Sequence, residues 1–297
     1  MANNRKSIYS ALAANLLIAL TKFIAGGFTN SASMISEGIH STVDTTNQLL
    51  LLYGLKRSNK APDEAHPFGY GKELYFWSFV VSILIFALGG ALSIYQGIKH
   101  IIEPEIVKNP FWNYIVLILS LIFEGSSLFI AVREFNKTRQ GLRWWDAIIK
   151  SKDPSSFLVV FEDGAAVAGL LVVMLLMGMS HCLQVPELDG LASVIVGLIL
   201  VFVSLILARE SRSLLMGEGI APETKDRIAK LAESDPAVVR TKTILSTYQS
   251  PEEVILMLIV DFEDHLDTEE ITDAIQRIRS TIKKEFRLVR FVIIQPE

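Results

Sequence analysis

Residues 32–55 read ASMISEGIHSTVDTTNQLLLLYGL. A membrane-spanning helix needs about 20 mostly apolar residues, and this run is long enough. It nevertheless carries Glu37, His40, Asp44 and Asn47. Whether it spans or lies re-entrant decides the topology of the whole chain. Five further apolar runs surround it: Ile8–Phe28, Leu74–Ile98, Phe111–Val132, Phe157–Met179 and Leu188–Leu207. The first carries Lys22 and the fifth of the six carries Glu162 and Asp163. Their polar residues sit inside otherwise apolar stretches of spanning length, so six spans are expected.

Lysine and arginine in the short loops agree with that count. Arg5 and Lys6 precede the first run; Arg57, Lys60 and Lys72 follow the second. Arg133, Lys137, Arg139, Arg143, Lys150 and Lys152 lie between the fourth and fifth, and Arg209 and Arg212 follow the sixth. The opposite loops hold Lys99 and Lys108. All four basic segments fall on one side only if there are six spans. Both termini are then expected to be cytoplasmic, in a multi-pass protein of the cell (inner) membrane.

Composition narrows the class. The chain has 297 residues, 51% of them apolar and 20% charged; soluble domains average about 25% charged. Residues 214–297 hold 27 of the 60 charged residues. That asymmetry excludes an ordinary soluble enzyme, a disordered chain and a fibrous repeat. One cysteine, Cys182, excludes a disulfide framework and a thiolate cluster. A net charge of −4 offers no basic surface to nucleic acid. No cleavable signal is expected, because Met1–Lys6 runs straight into a full-length apolar segment. The reading divides the chain into a transmembrane domain, 1–213, and a tail domain, 214–297.

The tail reads as a small α/β domain. Glu223–Ser234 has helical apolar spacing, and Val238–Thr247 and Val254–Phe262 are rich in strand formers around a polar turn at Tyr248–Glu253. Thr268–Phe286 places Ile271, Ala274, Ile275, Ile278 and Ile282 on one helical face, and Val289–Ile294 is a last strand. The order is αββαβ. About 80 residues bury a core marginally, so a dimer partner is expected over the sheet. The domain is acidic, with 16 acidic against 11 basic residues.

Ionisable groups inside a membrane are costly and usually functional. His40 and Asp44, four apart, share one helical face. Imidazole nitrogen and carboxylate oxygen suit Zn²⁺ and other borderline divalent ions, so the pair is a candidate metal or proton site. Glu162 and Asp163 are adjacent and point about 100° apart. One is a candidate ligand, while the other is expected to pair with a neighbour such as Lys22 or to lie near the helix end. Asn47 is a candidate carbonyl ligand. Glu37 reads equally as a hydrogen-bond partner for the His40 ring and as a packing residue. Glu124 is expected to pair with a neighbouring helix, and Asp189 to stabilise the N-terminus of the sixth helix. In the loop DEAHPFGYGK, 63–72, Asp63 and His66 are a candidate surface metal pair set in a tight turn. His265, among the acids of 261–267, reads as part of a solvated charge run.

Taken together, SEGIHSTVD in the second run, EDGAAVAG in the fifth, the HPFGYGK loop and the αββαβ tail resemble the cation diffusion facilitators, the zinc transporter family. The stretch DPSSFLVVFEDGAAVAG resembles the branch that includes the animal mitochondrial zinc transporter. The resemblance covers nearly the whole chain and implies a ferredoxin-like tail. It also implies a transport site of two residues on helix 2 and two on helix 5, each pair four apart. His40 and Asp44 match the first pair. Asp163 matches the last ligand, and Val159 stands where the fourth would be, leaving Glu162 or a water to replace it. At the loop site Asp63 and His66 match, with Tyr70 in place of a third histidine. Lys242, Ile259 and Ile294 occupy positions where some relatives bind a regulatory zinc pair, so no such tail site is expected. Lys72 matches a lysine that locks dimer contacts, with Met216 where its acidic partner would be.

The implied function is efflux of a divalent cation, Zn²⁺ in exchange for protons, by alternating access in a homodimer within the lipid bilayer. His40, Asp44 and Asp163 would hold the ion near the midplane. No enzymatic activity is expected. Three alternatives stay open from the sequence. One is transport of Mn²⁺, Fe²⁺ or Co²⁺, which oxygen-rich ligands suit. Another is a membrane sensor or scaffold that binds metal without moving it. The last is a plain proton-coupled exchanger.

Overall fold

Long helices fill the N-terminal two-thirds of the chain. In the computed structural model they are α1 (Ala2–Thr29), α2 (Ala32–Ser58), α3 (Glu73–Ile102), α4 (Pro110–Thr138), α5 (Pro154–Leu183) and α6 (Glu187–Leu215). The structure describes residues 2–104, 110–138 and 154–297, with 141, 143, 144, 147 and 152; for 2–14, 110, 138 and 154–156 it describes the backbone alone. Lys108, Arg139, Lys150 and Asp153, used above, lie outside the described residues, as do the side chains of Arg5 and Lys6.

Among the described residues, α3, α4, α5 and α6 are long and apolar enough to cross a membrane by length and composition. α1 is apolar over Asn15–Thr29. Two tight links use residues with positive φ. Asn30, at φ 54°, turns the chain from α1 into α2, and Gln184, at φ 58°, from α5 into α6. Asparagine tolerates this left-handed conformation because its short amide bonds locally.

The chain forms two compact units. One is Met1–Leu55 with Phe76–Ser211, and the other is Lys56–Tyr75 with Arg212–Glu297. The loop between α2 and α3 therefore groups with the tail.

In the helical unit the apolar core runs through Leu117, Leu158, Leu170, Val173, Leu200 and Leu207. Large apolar side chains also face outward, among them Leu16, Leu20, Phe129, Leu175 and Phe202. α3 is not uniform: Ile85–Ala91 is a π-helical turn. The sequence reading expected an ordinary span ending at Ile98. The same helix packs closely on α6. A Cβ on Gly97 would fall 2.6 Å from the Gly190 carbonyl oxygen, and one on Gly197 would fall 2.8 Å from that of Gly90. The two glycine pairs let α3 and α6 touch backbone to backbone, as small residues allow between membrane helices.

In the second unit, α7 (Pro222–Glu233), β1 (Val238–Ser250), β2 (Glu253–Phe262), α8 (Thr268–Glu285) and β3 (Val289–Pro296) follow the expected αββαβ order. The sheet order is β1-β2-β3, with β1 and β2 antiparallel and β2 and β3 parallel. Alternate residues of β2, Val254, Leu256, Leu258, Val260 and Phe262, are buried in one core with Ile228, Ala274, Ile278 and Ile282 of the helices. Asp267 caps α8: its carboxylate accepts from the Glu270 amide at 2.8 Å, and the Glu270 carboxylate accepts from the Asp267 amide at 3.0 Å. This reciprocal cap starts the helix where the sequence reading expected it.

The turn between β1 and β2 is tighter than expected. Strand pairing continues to Ser250 opposite Glu253, leaving two residues in the loop. Tyr248 packs on the core and its amide donates to the Glu218 carbonyl at 3.1 Å, which holds that stretch extended. The loop from α2 lies on the same unit. The ring of Phe68 meets that of Phe291 edge-on at 5.6 Å, and Gly71 packs against the backbone of Gln249 too closely to admit a Cβ.

Candidate metal centre

α2 is the polar helix of the bundle. Ser33, Ser36, Glu37, His40, Ser41, Asp44 and Asn47 are all buried, and their three- and four-residue spacing sets them along one side. Four of them are met by side chains of neighbouring helices. Lys22 of α1, wholly buried, donates to Glu37 at 3.0 Å and to the Ser41 hydroxyl at 2.8 Å. Ser36 shares a hydrogen bond with Ser193 of α6 at 2.9 Å. The Asn47 amide donates to Glu162 Oε1 of α5 at 2.7 Å.

The sequence left the partner of Lys22 to an acid of the fifth helix. The structure gives it Glu37 instead, so Glu37 is the counter-ion of a buried lysine. Its second oxygen, Oε1, has no hydrogen-bond partner and faces Gly169 of α5, where a Cβ would stand 3.1 Å away.

Glu162 and Asp163 divide as their 100° separation requires. Glu162 faces α2, its Oε1 accepting from the Asn47 amide. Asp163 faces α4, where the Ser127 hydroxyl donates to its Oδ2 at 2.7 Å. Val159 is 36% exposed, and Glu124 is buried.

The donor atoms near Asp44 are under-used. His40 Nδ1 and Nε2, Asp44 Oδ1 and Asn47 Oδ1 are buried without a hydrogen-bond partner. His40 Nδ1 stands 3.4 Å from Asp44 Oδ1, without hydrogen-bond geometry. Buried polar atoms are nearly always satisfied, and orphans cost about 1–3 kcal/mol each. Four orphans within two turns of one helix mark a place prepared for something else. Among the described residues, no three His, Cys, Asp or Glu side chains already converge on one point. The donors form an open cluster of one imidazole, carboxylates and an amide carbonyl.

The loop pair behaves differently. The Asp63 carboxylate accepts from the Tyr70 hydroxyl at 2.7 Å, from Lys60 at 3.0 Å and from the His66 amide at 2.9 Å. The Tyr70 hydroxyl, then the Lys60 ammonium, hold its carboxyl well below the usual carboxylate range. The His66 ring stacks on Tyr70 with centroids 4.1 Å apart. Lys60 and Tyr70 both bond Asp63 Oδ2, and Oδ1, 3.5 Å from His66 Nδ1, already accepts from the His66 amide. In the tail, Lys242 pairs with Glu297 at 3.1 Å, so a basic side chain occupies that position.

Sequence reasoning missed Ser127 and the Asp189 cluster at the start of α2. Ser127 carries no sequence signal. Asp189 was read as a cap for its own helix. It also accepts from the Ser31 hydroxyl at 2.9 Å and from the Ser33 amide at 3.2 Å, joining α6 to the first turn of α2.

Residues 8–216 match the cation efflux transmembrane domain. The chain belongs to the cation efflux family. With its apolar helices, this makes it an integral membrane protein. Among family members it is 36% identical over 265 residues to the proton-coupled zinc antiporter SLC30A9, mitochondrial, of Xenopus laevis, covering 89% of this chain and 47% of that one. The chain thus spans about half the length of this relative. It is 27% identical over 295 residues to the manganese efflux system protein MneP of Bacillus subtilis, covering 98% of this chain and 95% of that one. A cadmium form of the MamM C-terminal domain aligns with 26% of this chain and 94% of its own, at 14% identity and a TM-score of 0.25.

Proposed function

We propose that this chain is a divalent-cation efflux transporter that exchanges Zn²⁺ for protons by alternating access. The observation that carries the reading is the cluster of orphaned donors at His40, Asp44 and Asn47 on α2, facing Glu162 on α5. Ligands must lose protons to bind a metal. An imidazole and two carboxylates can therefore trade a cation for protons as access alternates. The SLC30A9 relatives, named as proton-coupled zinc antiporters, support the same exchange.

In this reading His40, Asp44 and Glu162 hold the ion, with Asn47 as a carbonyl ligand once its amide releases Glu162. Asp163 enters the set when α5 turns it away from Ser127. Val159 supplies nothing, and Asp63 and His66 stand outside the transport site. All six long helices span, and the outward Leu16, Leu17, Leu20, Ile24 and Phe28 support lipid contact for α1. Both termini lie on the inner side, which is cytoplasmic in the cell membrane. The tail is a ferredoxin-like domain that pairs two copies of the chain.

The test is Zn²⁺ flux in proteoliposomes under an imposed pH gradient. Wild type is expected to move zinc against protons. Asp44→Ala and Glu162→Ala are expected to lose at least about 90% of that flux, since each removes a donor of the centre. Flux that persists in both overturns the site. A second reading, Mn²⁺ as cargo, is favoured by the oxygen-rich donors and by the full-length likeness to a manganese efflux protein. Competition between Zn²⁺ and Mn²⁺ in the same assay separates the two.

A further inference from the structure

A cavity of about 300 Å³ lies where the end of α1, the start of α2 and the end of α3 meet. Gly26, Asn30, Ser31, Gln96, His100 and Glu103 line it. It is well separated from the centre above. Ala32, on its wall, precedes His40 by eight residues, about 12 Å of helix.

Beside the cavity lies Asp189, wholly buried in the first turn of α6. Its Oδ1 takes the hydroxyls of Ser31 and Ser33, while its Oδ2 accepts from the Ser33 amide alone. His100 reaches toward it from α3. The ring Nε2 is 3.8 Å from Asp189 Oδ2, too far for a hydrogen bond, and it is buried without a partner. The His100 side chain is 10% exposed.

That separation suits two ligands of one ion. Zn²⁺ binds imidazole nitrogen and carboxylate oxygen at about 2.0–2.2 Å. Two such donors then stand roughly 3.4–3.9 Å apart for bond angles of about 110–135°. Asp189 is fixed by three donors, as a ligating carboxylate usually is. The cavity supplies room for waters, and Glu103 adds a carboxylate on its wall. Lys99, also on the wall, opposes a cation, which suits brief occupancy.

We propose that His100 and Asp189 form a second divalent-cation site, a station that cargo occupies between the α2–α5 centre and the cavity. This rests on the transporter reading above. It assigns a binding role to a histidine and an aspartate remote from the polar face around Asp44.

The test is equilibrium dialysis of Zn²⁺ against the full-length chain in detergent. In an Asp44→Ala/Glu162→Gln background, one weak ion is expected to remain. Adding His100→Gln is expected to weaken that residual binding about tenfold or more. Residual binding that ignores His100→Gln overturns the station. If His100→Gln does not fold, Lys99→Gln, at an exposed position, replaces it. Removing that opposing charge is expected to tighten residual binding about threefold, and unchanged affinity overturns the station. Flux in wild-type proteoliposomes judges the transporter reading separately. Flux without His100-dependent binding sinks the station alone, and His100-dependent binding without flux overturns the transporter reading and with it the cargo role, leaving a cation site only.

Discussion

Lys22 and Glu37 illustrate what a single buried charge demands. An ionisable side chain inside a spanning helix costs roughly 2.5–3.5 kcal/mol on insertion scales. Here each offsets the other, with Ser41 accepting a second bond from the ammonium. Removing one partner leaves an uncompensated charge. Glu37→Ala is therefore expected to destabilise the solubilised protein by about 3–5 kcal/mol. Lys22→Met/Glu37→Leu, which removes both charges, is expected to regain most of that. Thermal unfolding of the three chains in detergent measures it, and a double variant no better than the single one would refute the pairing. The residue scale is also where the sequence was hardest to read. Helical spacing put His40 and Asp44 on one face and required Glu162 and Asp163 to diverge. It could not say which acid turns to α2, because that depends on the rotation of α5 about its own axis. Lys22 was placed with an acid of the fifth helix for the same reason, whereas its partner is Glu37 of α2.

Among the elements, α3 and α6 are the most constrained pair. Their contact depends on Gly90 and Gly97 facing Gly197 and Gly190, where no side chain fits. Gly97→Val is expected to cost about 1–3 kcal/mol through overpacking. Gly27 and Gly125 make a clean control, since a Cβ at either meets nothing within 4 Å. Gly27→Ala and Gly125→Ala are expected to be neutral or to stabilise by roughly 0.5–1 kcal/mol, through reduced backbone freedom. Thermal stability in detergent, compared across the set, distinguishes the two classes. The positions of the long helices were legible from the apolar runs, but their ends were not: α4 runs to Thr138 and α6 to Leu215, beyond Val132 and Leu207. The π-helical turn was not legible either, because the apolar run Leu74–Ile98 has the composition of an ordinary span.

Across the whole molecule, the two units differ in what holds them. The tail is fastened partly by exposed charge. Arg277 of α8 donates to both oxygens of Asp235 at 2.8 and 2.9 Å, and that guanidinium lowers the Asp235 carboxyl below its ordinary value. A carboxyl lowered on folding stabilises above the unfolded value, about pH 4, and the gain is lost as pH falls through the lower folded value. Asp235→Asn is thus expected to weaken the tail by about 1 kcal/mol at pH 7, given the solvent around Arg277. Hydrogen exchange of the β1 and β2 amides in the full chain checks this. The gap between variant and wild type should close below about pH 4. The alternation in the tail strands and the amphipathic pattern of α8 made this unit legible from sequence. The grouping of the α2–α3 loop with it was not, because the contact of Phe68 with Phe291 joins residues far apart in the chain.

The buried polar face of α2 also imposes an order on synthesis. Its charge finds Lys22 only 15 residues away, so α1 and α2 can enter the bilayer as a neutralised hairpin. Asn47 has to wait for Glu162, 115 residues later. At about 5–20 residues per second, that is roughly 6–23 seconds of elongation. For that interval the α2 donors face lipid or the insertion machinery, and the half-made protein is most exposed to quality control before any cation can matter to it.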